Sequence, residues 1–128
     1  MVSAKIQIKV NSSELKKIIN QAENLVSESS VYMAEEMKKS ITSGAKSGRR
    51  YENHISSAPG QAPANWTGKL LKSIRIQKTK GISLVYVTAK YASFLEFGTS
   101  KMRPRPFIIP AFIKTKKFLQ DRLKRMQK

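Results

Sequence analysis

Apolar residues recur at spacings of three and four from residue 12 to residue 41, without an internal proline or glycine. This period matches the turn of an α-helix. Asn11 and Glu14 have the spacing of a capping box at a helix start. The pattern therefore predicts a long amphipathic helix over about residues 12 to 41. Its apolar positions are Leu15, Ile18, Ile19, Ala22, Leu25, Val26, Met33, Met37 and Ile41.

Two further segments alternate with a period of two, which is typical of a strand with one buried face. The first covers residues 2 to 10. The second covers residues 74 to 78 and 82 to 88 on either side of Lys80-Gly81, and predicts a β-hairpin. Val85 and Val87 indicate that its second strand is partly covered on both faces. We expect one antiparallel sheet from the hairpin, with the N-terminal strand as a candidate third member.

Aromatic residues cluster near the start of the last third of the chain. Tyr91, Phe94, Leu95 and Phe97 predict a turn of helix that ends at Gly98, since glycine readily adopts a positive φ. We expect the structural core to include Phe94, Phe97, Gly98, Phe107 and Phe112.

A basic helix is predicted at the C-terminal end. Pro110 is tolerated in its first turn, and lysine and arginine fill the positions outside its apolar stripe. The stripe is formed by Ile108, Phe112, Thr115, Leu119, Leu123 and Met126.

Residues 43 to 66 follow neither period and are rich in glycine, proline and serine. A loop of this length is usually functional or disordered, and we interpret it as a projecting arm. The whole pattern predicts a single α+β domain over residues 1 to 128. A small antiparallel sheet is packed by a long N-terminal helix and a basic C-terminal helix, with residues 43 to 66 as a long projecting loop.

The residue inventory leaves little for catalysis. The chain has no cysteine and one histidine, which excludes disulfides, thiolate zinc sites, cysteine nucleophiles and histidine metal clusters. Its single Asp lies among lysines in the last helix, so a Ser-His-Asp system is also excluded. An enzyme would need a cleft that holds Glu52, His54 and Glu96 together. We predict a protein without enzymatic activity and without a cofactor.

The 25 Lys and Arg against 8 Asp and Glu give a net charge of +17, which attracts polyanions. Residues 1 to 40 contribute +1 of this charge, residues 41 to 90 contribute +8 and residues 91 to 128 contribute +8. A nonspecific nucleic-acid-binding protein is therefore the alternative function. No apolar run is long enough to span a bilayer, so we expect no membrane contact and synthesis in the cytoplasm.

A stiff basic connector precedes the last helix. In Arg103-Pro104 and Arg105-Pro106 each proline biases the preceding arginine to an extended conformation. Two arginines at alternating positions suit bidentate contacts with carboxylates of a neighbouring subunit or with phosphates.

Two blocks of sequence carry a family resemblance. The downstream block consists of Tyr91, Ala92, Glu96, Phe97, Gly98, Thr99, Ser100, Lys101, Met102, Arg105, Pro106 and Phe107, followed by Pro110, Ala111 and Phe112. The upstream block runs from Ser57 to Ala64 and continues with Thr67, Gly68, Lys69, Leu70, Ser73 and Ile74. Both resemble the tailed-bacteriophage morphogenesis family of head-tail joining proteins, also called neck or tail-completion proteins. The resemblance covers about residues 30 to 128. Trp66 departs from it, because an Asp usually precedes Thr-Gly.

The resemblance implies a virion structural protein that is assembled in the bacterial cytoplasm and located at the head-tail junction. It implies a homo-oligomeric ring, with six-fold symmetry favoured, that joins the capsid connector to the tail. Its neighbours would be a head-completion or connector protein and a tail terminator or tube protein, with nonspecific contact to phage DNA. The expected assembly interface consists of Pro59, Gly60, Pro63, Trp66, Lys101, Arg103, Pro104, Arg105 and Pro106.

Overall fold

The computed structural model describes residues 4, 12–44, 46–51, 55–65 and 67–126. The strand predicted over residues 2 to 10 lies, apart from Ala4, outside the described residues. The elements in chain order are α1 (Ser12–Ser43), α2 (Lys69–Ser73), β1 (Ile74–Thr79), β2 (Ile82–Val87), α3 (Ala92–Phe97) and α4 (Ile108–Met126). The α+β fold, with a long first helix, an antiparallel hairpin and a basic last helix, is therefore confirmed.

The two halves of α1 have different environments. Its buried residues all lie in the second part of the helix and are Leu25, Ser29, Ser30, Ala34, Met37 and Ile41. From Ser12 to Asn24 every residue is exposed except Glu23, which is half-buried. The apolar side chains of Leu15, Ile18 and Ile19 are therefore in contact with solvent. The same helical period continues through both halves, but the buried residues of the helix lie in the second half.

The strands β1 and β2 pair antiparallel around Gly81, whose φ is 78°. The inner face of this hairpin places Ile74 opposite Val87, and it packs on α1. On the outer face Ile82, Leu84 and Tyr86 are exposed. The prediction that the second strand is partly covered on both faces is therefore wrong for the outer face, where these three side chains are exposed. Among the described residues the helices pack on the inner face alone, so the apolar side chains opposite have no cover.

The core lies where α1, α2, β1, α3 and α4 converge. Phe107 is at its centre with 0% of its surface exposed, and Met37 and Ile41 are each 1% exposed. The complete cluster is Ala34, Met37, Ile41, Leu70, Ile74, Ala92, Phe107 and Ala111. Burying a large apolar side chain contributes about 1.5 to 3 kcal/mol, so this cluster accounts for much of the stability of the fold.

Three of the aromatic residues predicted for the core lie at the surface instead. Phe94 is 54% exposed, Phe97 is 70% exposed and Phe112 is 57% exposed. On α3 the buried residues are Ala92 and Glu96, one helical turn apart, so Phe94 and Phe97 face away from the body. On α4 the buried pair is Ala111 and Thr115, which leaves Phe112 on the outer edge of the stripe.

The helix α4 is held along α1 by contacts near its C-terminal end. The rings of Tyr32 and Phe118 stack with centroids 4.4 Å apart and an interplanar angle of 8°. Beside them Arg122 donates to the carboxylate of Glu28 at 2.6 Å. These contacts fix the direction in which α4 leaves the connector.

Candidate assembly site

The connector between α3 and α4, residues 98–107, is held against α3 by the carboxylate of Glu96. Glu96 is 4% exposed. Its Oε2 accepts hydrogen bonds from the backbone N–H groups of Phe107 and Ile108 at 2.8 and 2.9 Å. Its Oε1 accepts from the N–H of Ile109 at 2.7 Å. The carboxylate therefore caps the N-terminus of α4, where unpaired donors and the helix dipole favour a negative charge.

Sequence reasoning missed this role of Glu96. A local capping box joins residues three apart, whereas Glu96 reaches donors 11 to 13 positions further along the chain. The available signal was a lone acid at the end of an apolar helical turn. Because both oxygens accept backbone hydrogen bonds inside the fold, Glu96 is not available for the acid-base role of the enzyme hypothesis. The other two residues of that hypothesis, Glu52 and His54, lie outside the described residues.

A tight turn follows α3 at Gly98. Its φ of 78° and ψ of 178° lie in a region essentially restricted to glycine. A Cβ at this position would lie 2.8 Å from the carbonyl oxygen of Met102 and 2.9 Å from Cδ of Pro104. The N–H of Arg105 then donates to the carbonyl oxygen of Leu95 at 2.6 Å. The connector is thereby folded back against α3.

The two sequence blocks meet at this connector, because the N–H of Gly60 donates to the carbonyl oxygen of Pro104 at 2.9 Å. Gln61 fixes the upstream block, since its Oε1 accepts from the N–H groups of Ser47 and Ala58 at 2.8 and 2.9 Å. Ser57 is buried. The part of the predicted loop from Ile55 to Asn65 therefore lies against the body, and the loop projects less than the sequence suggested.

A cavity of about 250 Å³ lies between the two blocks. It combines hydroxyl, amide, aromatic and guanidinium groups, and among the described residues no acidic side chain lines it. The lining residues are Ser56, Ser57, Pro63, Ala64, Asn65, Thr67, Gly68, Leu70, Tyr91, Leu95 and Arg105. Arg105 is half-buried, and its Nε is buried without a hydrogen-bond partner in the described part of the chain.

The predicted interface residues differ in their exposure. Those that are exposed are Pro59, Gly60, Lys101, Arg103 and Pro104, and those that are half-buried are Arg105 and Pro106. Pro63 is buried and lines the cavity, which corrects its assignment to an exposed contact surface. Trp66 lies outside the described residues.

No helix within residues 12–44 or 67–126 is long and apolar enough to cross a bilayer. The described ranges also contain no group of three or more His, Asp and Glu side chains that could hold a metal ion.

Comparison with protein families matches residues 7–98 to the HK97-gp10-like family, whose description reads "Bacteriophage HK97-gp10, putative tail-component". The match covers most of the 128 residues, including α1 and the upstream block, and ends at Gly98 before the connector. Comparisons with curated proteins and with solved structures gave no match. The resemblance to a phage morphogenesis family is thus confirmed: the chain belongs to the HK97-gp10-like family of phage tail components, and its role is a structural one in the virion.

Proposed function

We propose that this protein is a tail-completion, or neck, component that assembles as a homo-oligomeric ring and joins the capsid connector to the tail. The observation that carries the proposal is the meeting of the two sequence blocks at one site, through Gly60 and Pro104. The blocks are far apart in the chain, yet they build one surface, and its described lining contains no acidic side chain. A surface of this kind serves contact with other subunits.

Exposed apolar side chains support an assembly role. Phe94 and Phe97 lie on the outer side of α3, next to the connector, and Ile82, Leu84 and Tyr86 form the outer face of the hairpin. Clustered apolar residues on the surface of a chain mark sites of protein contact. A head-to-tail contact between two different surfaces produces a closed ring when the rotation between copies closes. The resemblance favours six copies.

A ring at the junction has one neighbour on each side. We expect a head-completion or connector protein on the capsid side and a tail terminator or tube protein on the other side. The contact surface would include the exposed or half-buried connector residues and the tip of the upstream block. These residues are Pro59, Gly60, Lys101, Arg103, Pro104, Arg105 and Pro106, with Trp66 as a further candidate.

Electron microscopy of a phage that lacks the gene tests the junction role. We expect filled heads and complete, separate tails, because each part is assembled without the component that joins them. Complementation with the wild-type gene should restore joined particles. Normally joined particles in the absence of the gene would contradict the proposal.

The alternative function, nonspecific nucleic-acid binding, is favoured by the net charge of +17 and by the basic outer face of α4. It predicts tight duplex binding whose affinity falls steeply as salt increases, because phosphate contacts release counterions. Binding isotherms at two salt concentrations measure this slope. Weak retention on DNA at physiological salt, together with a defined oligomer, would favour the ring; tight binding by a monomer would favour the alternative.

A further inference from the structure

Arg105 has a buried guanidinium Nε without a hydrogen-bond partner among the described residues. The residue as a whole is half-buried, and the described lining of its cavity contains no carboxylate. Desolvating a charged donor without pairing it is unfavourable. The neighbouring groups of Asn65 and Thr67 are polar and can contribute hydrogen bonds to an anionic group. The cavity is therefore suited to a carboxylate from another molecule.

Exposed aromatic residues of α3 near the cavity favour a polypeptide over a small anion as its occupant. Tyr91 lines the cavity and is 45% exposed, and Phe94 and Phe97 follow it on the outer side of α3. A free anion would leave these rings in water. A helix that carries both an acidic side chain and an apolar stripe would cover the rings and pair with Arg105 at the same time.

The first half of α1 has these properties. From Ser12 to Asn24 it is about 20 Å long, at 1.5 Å per residue, and only its last turn, with Gln21 and Asn24, borders α4 in the described structure. We call residues 12–24 the α1 arm. Leu15, Ile18 and Ile19 form an exposed apolar stripe along it. Glu14 precedes Ile18 by four residues, so its carboxylate lies at the edge of this stripe.

Most other acidic side chains of the described residues are occupied or lie elsewhere. Glu28 pairs with Arg122, Glu36 pairs with Lys114, and Glu96 caps α4. The remaining ones are Glu23, which is half-buried, and Glu35 and Asp121, which lie outside the arm. Glu14 is therefore the fully exposed acid of the α1 arm.

We propose that the cavity beside Arg105 receives the α1 arm of a second copy of this chain, with Glu14 of that copy paired to Arg105. This inference rests on the proposed ring and names its subunit contact. The charge contact is the single pair of Glu14 with Arg105, since the arm also carries the exposed Lys16 and Lys17. Apolar side chains would also be covered on both copies, namely the stripe of the arm and the exposed aromatic residues of α3. Each copy gives one arm and receives another, which is the head-to-tail arrangement of a ring.

Charge reversal tests the pairing. Native mass spectrometry over a concentration series should show a closed oligomer for the wild type. Arg105→Glu and Glu14→Arg should each raise the concentration needed for association by roughly thirtyfold or more, because each juxtaposes like charges at the contact. The double variant should restore most of the association. Glu35→Arg reverses an exposed acid of the same helix outside the arm and should leave the oligomer unchanged. Thermal melts of each variant establish that it is folded.

Cross-linking provides a second readout, because the chain contains no cysteine. Glu14→Cys combined with Thr67→Cys should form disulfides between copies, seen as a ladder on a non-reducing denaturing gel. Glu35→Cys combined with Thr67→Cys should give monomers. A wild-type protein that remains monomeric would overturn the inference. So would a double charge-reversal variant that associates no better than the single variants, if the cysteine variants also form no disulfide ladder. Separate heads and tails in the absence of the gene would then still support the junction role, whereas joined particles would contradict that role independently.

Discussion

The side chains of residues 91 to 112 fall into two sets, one buried inside the fold and one at the surface. Glu96 and Phe107 point inward, and both are almost completely buried. Phe97 is largely exposed, and Arg105 reaches a surface cavity with its Nε unpaired among the described residues. A charged residue is thus inside the fold while a phenylalanine is outside. The comparison shows that this segment builds two surfaces, one that completes the fold and one that is left for another molecule.

The two sets are distinguished more clearly by whether their polar groups are hydrogen-bonded than by hydrophobicity. The carboxylate of Glu96 accepts three backbone hydrogen bonds between 2.7 and 2.9 Å. Within the described residues, the buried side-chain polar atom that has no hydrogen-bond partner is the Nε of Arg105. Polar groups that are hydrogen-bonded within the chain stabilise the fold, while a buried one without a partner needs an explanation, which we propose is a contact with another subunit.

The largest difference is expected between two phenylalanine truncations. Phe107→Ala should lower the free energy of unfolding by about 3 to 5 kcal/mol, because it removes a fully buried ring from the core. Phe97→Ala should change it by less than about 0.5 kcal/mol, because the ring is exposed in the single chain. Urea denaturation of both variants, under conditions where the protein is monomeric, measures the difference. Equal losses would erase the distinction between the two sets.

Removal of the cap should have the next largest effect on stability. Glu96→Ala should cost about 2 to 3 kcal/mol, because it leaves three backbone donors of α4 without their acceptor. Glu96→Gln should cost less, since its amide oxygen can still accept from part of the helix terminus. Chemical denaturation gives both values. A Glu96→Ala variant as stable as the wild type would show that the carboxylate does not hold the connector.

Comparison of Gly98 with Gly60 separates the effect of backbone strain from that of a steric clash with a Cβ. Gly98→Ala should cost about 1 to 3 kcal/mol, because this backbone conformation is essentially restricted to glycine. The Cβ would also press on the carbonyl oxygen of Met102. Gly60 also has a positive φ, of 86°, but a Cβ there meets no atom within 4 Å, so Gly60→Ala should cost less. Thermal denaturation ranks the two, and a larger loss at Gly60 would contradict the geometry of the connector.

Substitution of Arg105 should change stability least. Arg105→Gln should alter the free energy of unfolding of the monomer by less than about 0.5 kcal/mol, since its Nε makes no hydrogen bond with the described residues that the fold would lose. The same substitution should weaken self-association, measured by sedimentation velocity. A large loss of monomer stability with unchanged association would show that Arg105 acts with the buried residues that stabilise the fold.

Periodicity predicted the elements well because it depends on local geometry. The long helix, the hairpin around Gly81, the helical turn ending at Gly98 and the last helix starting near Pro110 all follow from residue spacing. The N-terminal strand remains a prediction. What spacing does not provide is the direction that a short helix faces. In α3 the inward position is taken by Glu96, because a cap more than ten residues away outweighs the burial of Phe97.

The candidate site was predictable in part. The motif blocks identified the segments that meet, and most of their predicted interface residues are accessible, although Pro63 is buried. The cavity and the unpaired Nε of Arg105 required the structure, because they depend on Gly60 contacting Pro104 across the chain. The exposed α1 arm was equally hidden, since its apolar period is the same as that of the packed half.

The position of the protein in the intact virion tests the central claim most directly. Cryo-electron microscopy of mature particles should show a ring at the head-tail junction into which this fold fits, with Phe97 and Arg105 at contacts between subunits. A virion in which the protein is absent from the junction, or lies only at the distal end of the tail, would contradict the account.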